Sequence, residues 1–107
     1  MQTLTLTLAD TGRSLTVAPG TRIVLSLQEA ATTGYAWHGP FIEGTGISAG
    51  AGSYLPPDNR APGAAGLRVI TLTATGPGHA TVSARLLRTW ETGAAPARAF
   101  SVSIAVR

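Results

Sequence analysis

The sequence predicts an all-β protein, an immunoglobulin-like antiparallel β-sandwich of seven or eight strands. Three observations support this prediction. Apolar and polar residues alternate with a period of two in most segments, Gly and Pro turn signals separate those segments, and no segment shows an apolar stripe with helical spacing. Seven or eight short strands in 107 residues are typical of such a sandwich. At this length we expect a single domain over residues 1–107.

The first three predicted strands follow one another at short turns. Residues 3–8 alternate threonine with leucine without a break, as expected for a strand with one face in water and the other in the core. After the turn residues 10–12, residues 14–17 repeat this alternation. Residues 22–28 form the third predicted strand, and the apolar run at 23–25 predicts that it is buried on both faces.

The middle of the chain is less regular. Residues 35–41 predict a fourth strand, in which we expect Tyr35 and Trp37, on one face, to lie in the core. The stretch 42–66 is rich in glycine and proline, and it predicts long loops with one short strand near Ile47 or Tyr54.

Three further strands complete the predicted sandwich. They cover residues 67–74, 79–88 and 98–107, and a Gly-Pro-Gly turn separates the first two. In the first of them we expect Leu67, Val69 and Leu72 to point inward. In the last, every second residue is apolar, which predicts one face in the core.

The composition excludes several classes of function. Because the chain has no cysteine, it has no disulfide bond, thiolate metal site or cysteine nucleophile. The net charge is +3, but the eight arginines are spread along the chain, so we expect no nucleic-acid partner. The two histidines lack the spacing of metal ligands and no cofactor fingerprint is present, so we expect no metal and no cofactor. No apolar run approaches the roughly 20 residues of a membrane span, so we expect no membrane partner.

The start of the sequence leaves two compartments open. It shows no basic segment followed by an apolar one, as a signal peptide would. We expect a cytoplasmic protein if Met1 is the native start, and a periplasmic or secreted one if a signal peptide has been removed. In either case we expect a monomer.

The strand directions predict that three loops share one end of the sandwich. If successive strands run antiparallel, the first loop (residues 29–34), the second loop (residues 61–66) and the third loop (residues 89–97) all lie at the end that the third strand reaches. The same rule also places the short turn at 9–13 there. Recognition loops of such sandwiches cluster at the ends of the sheets.

Each of these loops carries a short motif. They are Thr32-Thr33-Gly34-Tyr35 followed by Trp37, Gly63-Ala64-Ala65-Gly66, and Arg88-Thr89-Trp90 at the start of the third loop. In order and spacing they resemble the three motifs of the chagasin family, whose members inhibit papain-like cysteine proteases. Those motifs read Asn-Pro-Thr-Thr-Gly-Tyr, Gly-x-Gly-Gly and Arg-Pro-Trp. Here Ala30-Ala31 replace Asn-Pro, Ala65 replaces a glycine and Thr89 replaces the proline.

The resemblance implies a reversible, tight-binding inhibitor whose partner is a papain-like cysteine protease, and not an enzyme. The first motif then enters the protease cleft, the second offers its backbone, Trp90 packs beside the cleft and Arg88 fixes the loops. The residues implied to bind the protease are Thr32, Thr33, Gly34, Gly63, Ala64, Ala65, Gly66, Arg88, Thr89 and Trp90.

An alternative from a different class remains open. The chain is then an immunoglobulin-like module that binds another protein or a glycan without inhibiting proteases. In that case the first motif is an ordinary turn in which Gly34 supplies a positive φ, the second is a hinge before a strand, and Trp90 lies in the core.

Overall fold

The computed structural model describes residues 2–29, 34–56, 65–88 and 98–107. Within them it forms eight strands and one short 3-10 helix, Leu8–Asp10. The strands are β1 (Thr3–Leu6), β2 (Ser14–Val17), β3 (Arg22–Glu29), β4 (Tyr35–Gly44), β5 (Ile47–Leu55), β6 (Gly66–Ala74), β7 (Gly78–Arg88) and β8 (Arg98–Val106).

The eight strands form two four-stranded sheets packed face to face, which confirms the predicted β-sandwich. Sheet 1 has the order β1-β3-β6-β5, and sheet 2 has the order β2-β8-β7-β4. β1 is parallel to β3 and β2 is parallel to β8, whereas all other neighbouring strands pair antiparallel. Both sheets are therefore mixed, because the chain leaves β1 for the opposite sheet instead of folding back beside it.

The segment between β1 and β2 crosses from sheet 1 to sheet 2 along the side of the sandwich. Leu6 pairs with Leu25, four residues before the end of β3, and Ser14 pairs with Ser103, five residues after the start of β8. The Gly12 N–H donates to the carbonyl of Ser101 at 2.7 Å. Leu6 and Ser14, which flank this segment, lie some 13–17 Å short of the end reached by β3, at about 3.3 Å per residue. Between them the chain bends toward that end, where Leu8, Ala9 and Thr11 line a shallow pocket with Arg98 and Ala99. The 9–13 turn therefore extends toward the end at which the sequence places it.

A charged cluster fixes this crossing segment. Asp10 accepts from the backbone N–H of Thr7 at 2.8 Å and pairs with Arg13 at 2.7 Å. The Thr7 N–H, followed by the Arg13 guanidinium, holds the pKa of Asp10 below its ordinary value.

The core consists of the inward-facing rows of the central strands. The predicted inward row of β8 is confirmed, and so is the burial of Trp37, whereas Tyr35 is only partly buried. In β6 the prediction is wrong for Leu67 and Val69, which point outward, while Leu72 is buried as expected, on the same face as Ile70. β3 buries only one face, since Val24 on the outer face of sheet 1 remains partly exposed.

The glycine-rich middle of the chain is more regular than predicted. β4 continues to Gly44, and β5 is one strand of nine residues, so a tight turn takes the place of the expected loop within 42–55. The rest of the expected loop, at 57–64, lies outside the described residues. A Cβ at Gly44, where φ is +124°, would collide with the His79 carbonyl and lie 2.8 Å from the Ala80 Cα. Glycine here permits two strands to approach closely, whereas the composition alone indicates a loop.

No helix within the described residues is long and apolar enough to cross a membrane.

Candidate functional site

The strands that flank the three loops meet at one end of the sandwich. In sheet 1, Glu29 pairs with Gly66, and Leu55 pairs with Leu67. In sheet 2, Tyr35 pairs with Arg88, and Leu86 pairs with Arg98. We call this the loop-bearing end. The strand directions predicted from the sequence agree with this arrangement for every strand from β3 to β8.

A hydrogen bond across the interior brings the two sheets into register at the loop-bearing end. The indole N–H of Trp37 in sheet 2 donates to the backbone carbonyl of Gln28 in sheet 1 at 2.8 Å. The ends of both sheets therefore lie at the same level.

Four of the ten predicted binding residues belong to the described part of the chain: Gly34, Ala65, Gly66 and Arg88. The other six lie outside the described residues: Thr32, Thr33, Gly63, Ala64, Thr89 and Trp90. A role in binding therefore stays a prediction for all ten residues.

Gly34 directly precedes β4 and has a φ of +83°. This backbone conformation is in the left-handed region, where a residue with a Cβ is destabilised. The chain therefore requires glycine here to turn from the first loop into Tyr35.

Gly66 is buried at the start of β6, beneath the side chain of Tyr54. A Cβ at Gly66 would collide with the Leu55 carbonyl and would lie 2.6 Å from the Tyr54 hydroxyl oxygen. Glycine is therefore required for close packing. The neighbouring Ala65 is exposed, and no described residue other than glycine has a positive φ, so Ala65 needs no glycine geometry.

Arg88 joins the strands that lead into the first and third loops. Its guanidinium lies 4.5 Å from the centre of the Tyr35 ring, across the β4–β7 pair. A cation over an aromatic face contributes roughly 0.5–2 kcal/mol, depending on how far it is removed from water. This contact agrees with the loop-fixing role that the sequence suggests for Arg88.

A buried carboxylate lies beneath the first and second loops, and sequence reasoning did not identify it. Glu29 is only 3% exposed. One carboxylate oxygen accepts from the Trp37 backbone N–H at 2.7 Å, and the other accepts from Arg68 at 2.7 Å. The backbone carbonyl of Glu29 accepts from the Tyr54 hydroxyl at 3.1 Å.

The sequence does contain a signal for this cluster. Glu29 continues the inward row of β3 after Leu27, and Arg68 occupies the inward row of β6 before Ile70. Two opposite charges in inward positions of neighbouring strands predict an internal ion pair, because a buried charge is costly without a partner.

Two leucines beside the second loop are unusually exposed. Leu55 is 52% exposed and Leu67 is 37% exposed, and the two pair directly across β5 and β6. Their side chains form a small exposed apolar area at the loop-bearing end.

Groups suited to catalysis do not gather at the loop-bearing end in the described part of the chain. Ser103 and His79 are 2.8 Å apart, but they lie on the exposed face of sheet 2. The described residues also contain no group of three or more His, Asp or Glu side chains that could hold a metal ion.

Comparison with known proteins identifies the family. The family model described as chagasin family peptidase inhibitor I42 matches residues 16–104. The chain belongs to the chagasin family of peptidase inhibitors. A curated relative, Chagasin from Trypanosoma cruzi, is 33% identical over 90 residues, covering 78% of this chain and 80% of that protein. The predicted resemblance to the chagasin family is thereby confirmed.

Solved structures of chagasin-like folds are similar over the whole chain. A cysteine protease inhibitor from Entamoeba histolytica, EhICP2, superposes with a TM-score of 0.86 at 24% identity, covering 99% of this chain and 96% of that one. PbICP-C, solved in complex with falcipain-2, superposes with a TM-score of 0.68 at 15% identity, covering 100% of both chains. At these identities the likeness shows a shared fold.

Proposed function

We propose that this protein is a reversible, tight-binding inhibitor of papain-like cysteine proteases, which it blocks with the three loops at its loop-bearing end. The observation that carries this proposal is the convergence of the strand ends flanking all three motifs. Loops that start from one rigid end of a sandwich form a single surface, and such a surface can enter an elongated cleft.

The loops divide the contact between them. Thr32, Thr33 and Gly34 occupy the centre of the cleft, close to the catalytic groups of the protease. On one side Gly63, Ala64 and Ala65 offer their backbone, while Gly66 secures the packing below them. On the other side Trp90 is the apolar anchor, and Thr89 and Arg88 hold it in place.

Inhibition is competitive and non-covalent in this proposal, and the protein has no catalytic activity of its own. The inhibitor brings no electrophile, so its affinity comes from shape fit over a standard-sized interface of roughly 1,600 Å². The exposed side chains of Leu55 and Leu67 support the proposal, because an enzyme bound at the loop-bearing end would cover apolar surface there. The complex of PbICP-C with falcipain-2 also supports an enzyme partner for this fold.

A second candidate is an immunoglobulin-like module that binds a protein or glycan without inhibiting proteases. The departures from the family motifs favour it. Ala30-Ala31 provide neither the rigid ring of proline nor the side-chain hydrogen bond of asparagine, and Thr89 lacks a proline ring. A less ordered loop pays more conformational entropy on binding, which lowers affinity.

A titration distinguishes the two candidates. Papain and a cathepsin L-type enzyme are titrated with the protein, and hydrolysis of a small fluorogenic substrate is followed. We expect reversible, competitive inhibition with an endpoint of one inhibitor per enzyme. Absence of inhibition at tens of micromolar would contradict the proposal for these enzymes.

A capture experiment provides the control. Immobilised inhibitor should retain the free protease, but it should not retain protease whose active-site cleft has been blocked beforehand by a covalent ligand. Equal retention of blocked and free enzyme would favour a binding module that uses another surface.

A further inference from the structure

We infer that Glu29 is a positioning residue, whose buried carboxylate holds the first and second loops in the orientation needed for protease binding. The inference rests on the proposed function, and it adds a residue that lies outside all three motifs. Glu29 touches no protease in this scheme and acts only through the strands to which it is bonded.

One carboxylate joins the two sheets where the loops begin. Its first oxygen accepts from the backbone N–H of Trp37 in β4, three residues after Gly34. Its second oxygen accepts from Arg68 in β6, two residues after Gly66. The chain that returns from the first loop and the chain that returns from the second loop are therefore bonded to the same group.

The backbone next to this carboxylate fixes the remaining contacts. The Glu29 carbonyl accepts from the hydroxyl of Tyr54, which lies near the end of β5. The preceding carbonyl, that of Gln28, accepts from the Trp37 indole. The three other strands that lead into or out of the first and second loops, which are β4, β5 and β6, thus all bond to the last two residues of β3.

Burial makes this arrangement specific. An ionised carboxylate that is 3% exposed is strongly destabilised unless its oxygens accept hydrogen bonds. Bonds to a charged acceptor are about twice as strong as neutral ones. A displacement of β4 or β6 at the loop-bearing end removes a bond from a buried charge, so alternative positions of the strand ends are disfavoured.

The first motif departs from the family pattern at the start of the loop. Ala30 and Ala31 contain no ring and no side-chain hydrogen-bonding group. The contacts of Glu29 and the glycine turn at Gly34 fix the described residues at the two ends of this loop.

The central test compares Glu29→Gln with a control variant at the opposite end of the sandwich. The glutamine retains an oxygen for the Trp37 N–H but loses the charge that pairs with Arg68. We expect the inhibition constant against papain to rise about 10- to 100-fold. The control is Val106→Ala, which removes buried methyl groups near the carboxyl end of β8.

The control separates positioning from general stability. Val106→Ala should lower the melting temperature, but the inhibition constant should stay within about twofold, because the protein remains almost wholly folded at assay temperature. A rise in the inhibition constant that is the same for Glu29→Gln and Val106→Ala would overturn the inference. No rise for Glu29→Gln would also overturn it.

A second pair of variants keeps the test independent of the folding of Glu29→Gln. Arg68→Gln removes the other partner and should raise the inhibition constant by a similar factor. In the double variant the combined effect should be smaller than the product of the two single effects, because both act through one ion pair. Independent, multiplying effects would contradict the proposed coupling.

Amide hydrogen exchange, measured without a protease, provides a separate readout. Glu29→Gln should speed exchange in peptides covering 30–34 and 57–65, and it should leave peptides covering 100–106 unchanged. Unchanged exchange at 30–34 and 57–65 would overturn the positioning role. Failure of the wild-type protein to inhibit would instead overturn the proposed function, so the two failures are seen in different measurements.

Discussion

Replacement of Gly66 by alanine tests whether this glycine serves packing or protease contact. The new Cβ would collide with the Leu55 carbonyl, and it would lie 2.6 Å from the Tyr54 hydroxyl oxygen and 2.8 Å from the adjacent ring carbon. Because one obstacle is the backbone of β5, a side-chain rotation alone does not relieve the clash. The strands have to separate, and Tyr54 has to leave its place and give up its bond to Glu29.

The expected magnitude follows from these contacts. Overpacking at a close-packed position costs about 1–3 kcal/mol. The loss of the Tyr54–Glu29 hydrogen bond adds about 1 kcal/mol. For a domain of this size each kcal/mol lowers the melting temperature by roughly 4–8 °C, so we expect a fall of about 8–32 °C.

The chain offers a matched control in Gly52→Ala on the neighbouring strand. A Cβ there meets the Val69 carbonyl at 3.5 Å and Ile70 at 3.7 Å, which are ordinary contacts. We expect its melting temperature to change little, or to rise, because alanine reduces the entropy of the unfolded chain. Thermal unfolding followed by circular dichroism compares the two variants. A Gly66→Ala protein that melts like Gly52→Ala but inhibits poorly would refute the packing argument and favour a direct role in binding.

Three further substitutions test the site and the fold. Trp90→Ala should weaken protease binding by about 2–4 kcal/mol, or roughly 30- to 1,000-fold in the inhibition constant; a collapse of the melting temperature with unchanged affinity would instead place the indole in the core. Gly34→Ala should cost about 1–2 kcal/mol in unfolding free energy because its φ is +83°, and urea denaturation measures this. The folded pKa of Asp10 lies below the unfolded value of 3.8, so its ionised form stabilises the fold above that value and this contribution is lost as the pH falls through the folded pKa. Asp10→Asn should therefore lower the unfolding free energy at about pH 7, and the difference in unfolding free energy from wild type should be smaller at about pH 2.5. An equal difference at both pH values would contradict the stabilising role of ionised Asp10.

The alternation of side chains was sufficient to predict most of the sandwich. In strands such as β8, one row of side chains is apolar and the other is polar, so the sequence alone indicates which face is buried. β6 does not, because Arg68 occupies an inward position that an apolar residue would normally fill. The outward Leu67 and Val69 then resemble a core row, and the face is assigned wrongly.

Three other features depend on contacts between distant segments, which no local pattern contains. Glycine stands where strands approach closely, at Gly44 of β4 and Gly66 of β6, yet a glycine-rich composition is also typical of a loop. The crossing of residues 7–13 to the opposite sheet is set by pairing with β8, about 90 residues later. Glu29 was visible as a charge but not as the centre of a cluster, since its partners come from three other strands.

Residues 7–13 pass along the side of the sandwich, and their contacts bear on whether the loops can be replaced without altering the strands beneath. These residues fasten the two sheets to each other midway along their length, through bonds to β8 that involve Gly12 and Arg13. Strand register is thus secured at a distance from the loop-bearing end. Segments 57–64 and 89–97 can therefore differ in length and sequence, or be transplanted from other inhibitors, while the frame beneath keeps its shape.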